Sequence, residues 1–144
     1  MDRRRELIEM IRLQGLPTPD GVTPLPVVSL EDFFVGNEDP GSIGCNLPQP
    51  APGPQRFFQV LKAIRERPEV KDVLVEIHEV EEGDETMWPF SDRVYVVTSA
   101  SMDAVTKWVG ELQPDEVEEG YAAGRPAAGP EVGAPYKIWA IWWD

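Results

Sequence analysis

The chain of 144 residues holds a single cysteine, Cys45, and a single histidine, His78. Cys45 has no partner for an internal disulfide, and the two residues cannot complete a four-ligand Cys/His zinc site. No apolar run reaches the roughly 18–20 residues that a membrane-spanning helix needs. The N-terminal stretch alternates charged with apolar residues and lacks the continuous apolar core of a signal peptide. A soluble, cytoplasmic protein is therefore expected. Basic residues are scarce: 13 stand against 26 acidic ones, for a net charge of −13. A chain so charged repels nucleic-acid phosphates and anionic lipid. The turn Gly41–Gly44 has no lysine after it and no helix directly behind it, so it is not a phosphate-binding loop. The G-x-S-x-G and H-E-x-x-H motifs are missing, and no strand interleaves aromatic with basic residues as an RNA-binding sheet does. Neither a cofactor nor a metal is expected.

What is present is a concentrated negative field. Between Glu76 and Glu119 stand 13 acidic residues and two basic ones, Arg93 and Lys107. Such a surface steers toward a basic protein partner. The run Glu81, Glu82, Asp84, Glu85 lacks the alternating ligand spacing of a calcium loop and reads as a solvated acidic rim.

Apolar periodicity places the elements. Residues 2–14 form an amphipathic helix through Leu7, Ile8 and Ile11, closed by Gly15, and the proline-rich stretch to Pro26 wraps the rest. Residues 26–35 read as a strand, and 36–53 as a long irregular loop that is either functional or packed by Ile43 and Leu47. A helix over 54–67 carries Phe57, Val60, Leu61 and Ile64 on one face. Strands follow over 72–80 and 93–99, pairing as an antiparallel hairpin. Ser101 caps a helix to about Leu112, residues 114–121 suit one more helical turn, and 136–143 form a strand aromatic on both faces. Behind the first helix the order is β-α-β-β-α-β. That order resembles the ferredoxin-like sandwich, an α+β fold with two helices on one face of a four-stranded antiparallel sheet. A single domain over 1–144 is expected, with 1–26 as helix and linker and 27–144 as core. In that topology the last strand is an edge. One so aromatic needs a cover, for which a second copy of the chain in a homodimer is one candidate.

Two functional readings follow. The leading one is a non-catalytic binding protein that recognises a basic partner through Glu81, Glu82, Asp84 and Glu85, with Trp88 and Phe90 of the adjoining M-W-P-F-S-D segment as aromatic anchors. The alternative is a small hydrolase or thiol-redox enzyme. In it, Cys45 of the turn P-G-S-I-G-C-N is activated by His78, and Glu76, two residues earlier and so on the same sheet face, orients the imidazole.

Overall fold

Capping residues and apolar faces decide where the helices start and what they cover. The computed structural model describes residues 2–18 and 20–143. Helix α1 (Arg3–Gln14) begins at Asp2, whose carboxylate accepts the Arg4 amide proton at 2.9 Å, and it buries Leu7, Ile8 and Ile11. Strand β1 (Val27–Ser29) is only three residues long because Ser29 turns the chain into α2 (Leu30–Phe34). The Ser29 hydroxyl accepts from the Asp32 amide at 3.1 Å, so the stretch that reads as one strand is divided by a capped helical start.

Helix α3 (Pro54–Arg65) opens with proline in its first turn and buries Phe57, Leu61 and Ile64. Strands β2 (Val70–Glu76) and β3 (Arg93–Thr98) pair antiparallel, as the sequence predicts. Helix α4 (Met102–Trp108), capped by Ser101, runs into a 3₁₀ turn over Gly110–Leu112. Strands β4 (Glu116–Glu119) and β5 (Lys137–Trp142) complete the chain.

The protein is α+β, but its strand order is not the ferredoxin-like one. Five strands lie in the order β1-β2-β3-β5-β4, each pair antiparallel. The ferredoxin-like order sets a third strand between the first two. Here α2 and α3 return the chain to the position beside β1, so the first two strands are direct neighbours. The segment expected to add a helical turn is β4 instead. Its ladder to β5 outweighs the poor strand propensity of Glu116, Glu118 and Glu119. As a result β5 lies inside the sheet, and the aromatic edge that called for a second subunit does not exist.

Both true edges are blunted. β4 carries three glutamates. At β1 the Gln14 side chain takes both outward groups of Val27, donating to its carbonyl at 2.8 Å and accepting from its amide at 3.1 Å.

One face of the sheet presents Val73, Val75, Val94, Val96, Trp139 and Ile141 to a core shared with α1, α2, α3 and α4. The opposite face presents Val27, Leu74, Tyr95, Val97, Ile138 and Ala140, against which Tyr121 and Val132 of the Gly/Ala/Pro-rich segment 120–135 pack. The 36–53 loop is held by its own residues. Ile43 and Leu47 are buried, and buried Asn37 donates to Ser42 Oγ at 2.9 Å. Gly44, at φ +66°, lies so close to the Phe57 ring that an added Cβ would stand 2.7 Å from Cζ.

Candidate functional site

Strand alternation sets Glu76, Arg93 and Trp142 on the face opposite α3, and the register sets them side by side. Glu76 pairs with Arg93 across β2–β3, and Arg93 pairs with Trp142 across β3–β5. The three form one transverse row. Tyr95, two residues after Arg93, shares their face.

The side chains of the row lock together. The Arg93 Nη1 donates to Glu76 Oε1, and the Tyr95 hydroxyl donates to Glu76 Oε2. The Tyr95 oxygen in turn accepts from the Ala122 amide at 3.1 Å, tying segment 120–135 to the sheet. The Arg93 guanidinium stacks on the Trp142 ring with Cζ 3.2 Å from its centroid. Glu76 is 3 % exposed and Arg93 8 %. Burial raises the pKa of Glu76 above the ordinary carboxyl range, against the pull of the Tyr95 hydroxyl and the Arg93 charge. Burial also raises the Tyr95 hydroxyl, and the Glu76 charge adds to that shift.

Above this row opens a cavity of about 400 Å³. Glu76, Arg93 and Trp142 line it with His78, and its remaining walls come from Thr18, Gly21, Thr23, Leu25, Ala122 and Ala123. Two buried donors of the row have no hydrogen-bond partner: Arg93 Nε and Trp142 Nε1. The other two indoles of the C-terminal segment differ. Trp139 Nε1 donates to the Ala100 carbonyl at 3.1 Å, and Trp143 Nε1 to the Leu112 carbonyl at 2.8 Å. An unpaired buried N–H is costly, so the stacked Arg93 and Trp142 side chains each leave one donor unsatisfied beneath the cleft that both residues line.

The residues singled out from the sequence fall in separate places. Glu76 and His78 do line one cavity. Both Glu76 oxygens are engaged by Arg93 and Tyr95, so that carboxylate holds the arginine and not the imidazole. His78 is exposed, and its ring meets Phe90 edge-on at 5.9 Å. Cys45 is exposed in the 36–53 loop beside Gly44, which packs on Phe57 in the helix-side core. It lines neither cavity to which His78 belongs. Trp88 is no surface anchor: it is 8 % exposed and part of the main core, while Phe90 is half-buried.

Glu81, Glu82, Asp84 and Glu85 are exposed. Their loop is clamped through its backbone, because the Arg4 guanidinium donates to the carbonyls of Met87 and Glu81 at 2.7 Å, Asp84 at 2.9 Å and Glu82 at 3.3 Å. Arg12 also pairs with the Glu82 carboxylate. Part of the acidic field thus meets a basic partner within the same chain. Among the described residues no group of three or more His, Cys, Asp or Glu is placed to hold a metal ion, and no helix is long and apolar enough to cross a membrane.

Arg93 and Tyr95 are not singled out by the sequence; Trp142 is, but only as a member of the terminal aromatic cluster with Trp139 and Trp143. A signal for the first was there: a lone arginine opens an otherwise apolar strand, in an acidic segment, one hairpin away from a glutamate that closes a strand. The profile of the Uncharacterized protein YfbO family matches residues 2–141. The chain is 39 % identical over 140 residues to the Uncharacterized protein YfbO of Escherichia coli (strain K12), a match that spans 96 % of each protein. No solved structure matches.

Proposed function

We propose that this chain, which belongs to the YfbO family, is a non-catalytic binding protein whose recognition site is the cleft above Glu76, Arg93 and Trp142, where it takes a small molecule. The observation that carries this reading is the cleft itself, about 400 Å³ in volume, whose lining sets the charged and polar groups of Glu76, His78 and Arg93 beside the apolar Leu25, Ala122, Ala123 and Trp142. Binding is favoured over catalysis because the polar groups of the row are committed to each other. A general base is directed at the substrate, whereas the Glu76 carboxylate is directed at the Arg93 guanidinium and the Tyr95 hydroxyl.

The test is a panel of small fragments of mixed charge, followed by the ¹⁵N–¹H signal of the Trp142 indole. Binding fragments are expected to move that signal in the wild-type protein and to lose their effect in Ala123→Phe, whose ring fills the cleft. If no fragment moves the signal, or Ala123→Phe responds as the wild type does, the cleft is not a recognition site.

A second reading, recognition of a basic protein, is favoured by the acidic loop. Its carboxylates are exposed while Arg4 fixes its backbone, so a charged surface of constant shape faces the solvent. A basic protein held in this way is retained in a native mass spectrum at low salt and released at moderate salt. It is also lost in the variant carrying Glu81→Gln and Glu85→Gln. Retention unaffected by those two substitutions would assign the contact to another surface.

A further inference from the structure

The ladder of β4 with β5 ends at Gly120, whose amide donates to the Ile138 carbonyl at 2.8 Å. Beyond it, segment 121–135 walls the cleft with Ala122 and Ala123 but is fastened to the sheet sparingly. The Tyr121 hydroxyl donates to the Pro130 carbonyl and Arg125 to the Gly129 carbonyl, both inside the segment. Among the described residues, the one hydrogen bond from 121–135 to the sheet runs from the Ala122 amide to the Tyr95 oxygen, at 3.1 Å. The remaining hold is apolar: the Tyr121 ring meets Tyr95 edge-on at 4.9 Å, and Val132 packs on the same face.

That single anchor leads to a buried charge. The Tyr95 hydroxyl donates to Glu76 Oε2, while Arg93 donates to Oε1. The Ala122 amide, the Tyr95 hydroxyl and the Glu76 carboxylate are thus one chain of hydrogen bonds. Each donation polarises the next, so an anion at the end makes the Tyr95 oxygen a better acceptor for Ala122. A hydrogen bond that ends on a charge is roughly twice as strong as a neutral one. A proton on Glu76 removes the anion and weakens the hold on Ala122. The groups that face Glu76 are Arg93 and Tyr95 on β3, Asp92 just before it, and His78, which lines the same cleft. Arg93 and Tyr95 favour the charged form, burial and Asp92 the neutral one, and burial prevails. The other walls of the cleft, from Thr18, Gly21, Thr23, Leu25, Ala122 and Ala123, bring no titratable side chain.

We propose that the charge on Glu76 fastens segment 121–135 to the sheet through Tyr95, so that the Ala122–Ala123 wall of the cleft loosens when Glu76 takes up a proton. The consequence for binding rests on the reading of the cleft as a recognition site, whereas the coupling itself is measured without a ligand, so either can fail alone. The Glu76 carboxyl carbon, the His78 ring and the Ala122 amide are followed by NMR over about pH 4–8, which spans ordinary carboxyl and imidazole titrations. The Ala122 signal is expected to move with the Glu76 midpoint. Its protection against hydrogen exchange, taken relative to the intrinsic rate at each pH, is expected to fall about fivefold as pH drops through that midpoint. Tyr95→Phe keeps the ring against Tyr121 and breaks the chain of hydrogen bonds; Glu76→Gln holds its end neutral. In both variants Ala122 is expected to show the acid-side protection of the wild type and no pH step. An Ala122 signal that does not titrate, that follows the His78 midpoint, or that keeps its pH step in either variant overturns the coupling. A Glu76 carboxyl that holds one charge state over the whole range overturns it too. The wild-type titration alone decides if a variant does not fold.

Discussion

Arg93→Met is expected to lower the unfolding free energy by about 3–5 kcal/mol, measured by urea denaturation at pH 7. Methionine keeps a flexible apolar stem over Trp142 but leaves Glu76, 3 % exposed, with only the Tyr95 hydroxyl for a partner. An isolated buried charge costs far more than the intact pair contributes. Replacing both members, Glu76→Gln with Arg93→Met, is accordingly expected to recover most of the loss, and that non-additivity is the signature of the pair.

The pH dependence has a definite sign. The folded pKa of Glu76 lies above its unfolded value, so its contribution to stability is greatest below the unfolded value and declines as pH rises through the folded one. Without Arg93 the folded pKa moves further up. The deficit of Arg93→Met should therefore widen as pH rises above the ordinary carboxyl range. In the double variant no such slope from this position remains. A single variant with a loss under about 1 kcal/mol and no pH slope would mean that water reaches the carboxylate.

Phe57→Ala is expected to cost about 3–5 kcal/mol, read from the same denaturation experiment. The ring is fully buried and meets Trp143 edge-on at 5.2 Å. It also backs Gly44, so its loss loosens α3, the C-terminal strand and the 36–53 loop together. Phe57→Leu, which keeps most of the volume, should cost less than half as much. Gly44→Ala destabilises through both the ring overlap and the positive φ. In the Phe57→Ala background the ring overlap is gone and only the positive φ and the tight approach to Leu47 Cδ1 at 3.2 Å remain, so the two substitutions together should cost less than their sum. Strict additivity would place the 36–53 loop farther from α3 than the structure has it.

Most elements were legible in the sequence because each is set by local pattern. Phe57, Leu61 and Ile64 recur at helical spacing, and the alternation of 72–77 and 93–98 names two strands and their faces. The failures lie where long-range pairing or a single cap decides. The apolar run 26–35 hides Ser29, whose hydroxyl ends a strand and begins a helix. Glu116–Glu119 has one strand-favouring residue, Val117, among three glutamates and is a strand because β5 offers it a ladder. The order of strands depends on which segments meet across the whole chain, which no local window contains.

The site divided in the same way. That Glu76 and His78 share a face follows from their spacing of two. That Glu76, Arg93 and Trp142 stand in one row follows only from the register of two strand pairs, β2 with β3 and β3 with β5. The sequence directs attention to rare residues such as Cys45, while the unpaired donors belong to residues that look like ordinary strand members.

The grip of Arg4 on the acidic loop has a consequence for how the protein can change. Its four acceptors are peptide carbonyls, of Met87, Glu81, Glu82 and Asp84, and every amino acid supplies a peptide carbonyl. The Arg4 contacts therefore make no demand on the side chains at these positions, and among them only Asp84, which accepts from the Thr86 amide and hydroxyl, and Glu82, paired with Arg12, also hold the loop through a carboxylate. Substitutions at Glu81 or Glu85 can reset the charge and the recognition properties of that surface while the scaffold beneath stays the same, whereas a change at the single residue Arg4 would remove four backbone anchors at once.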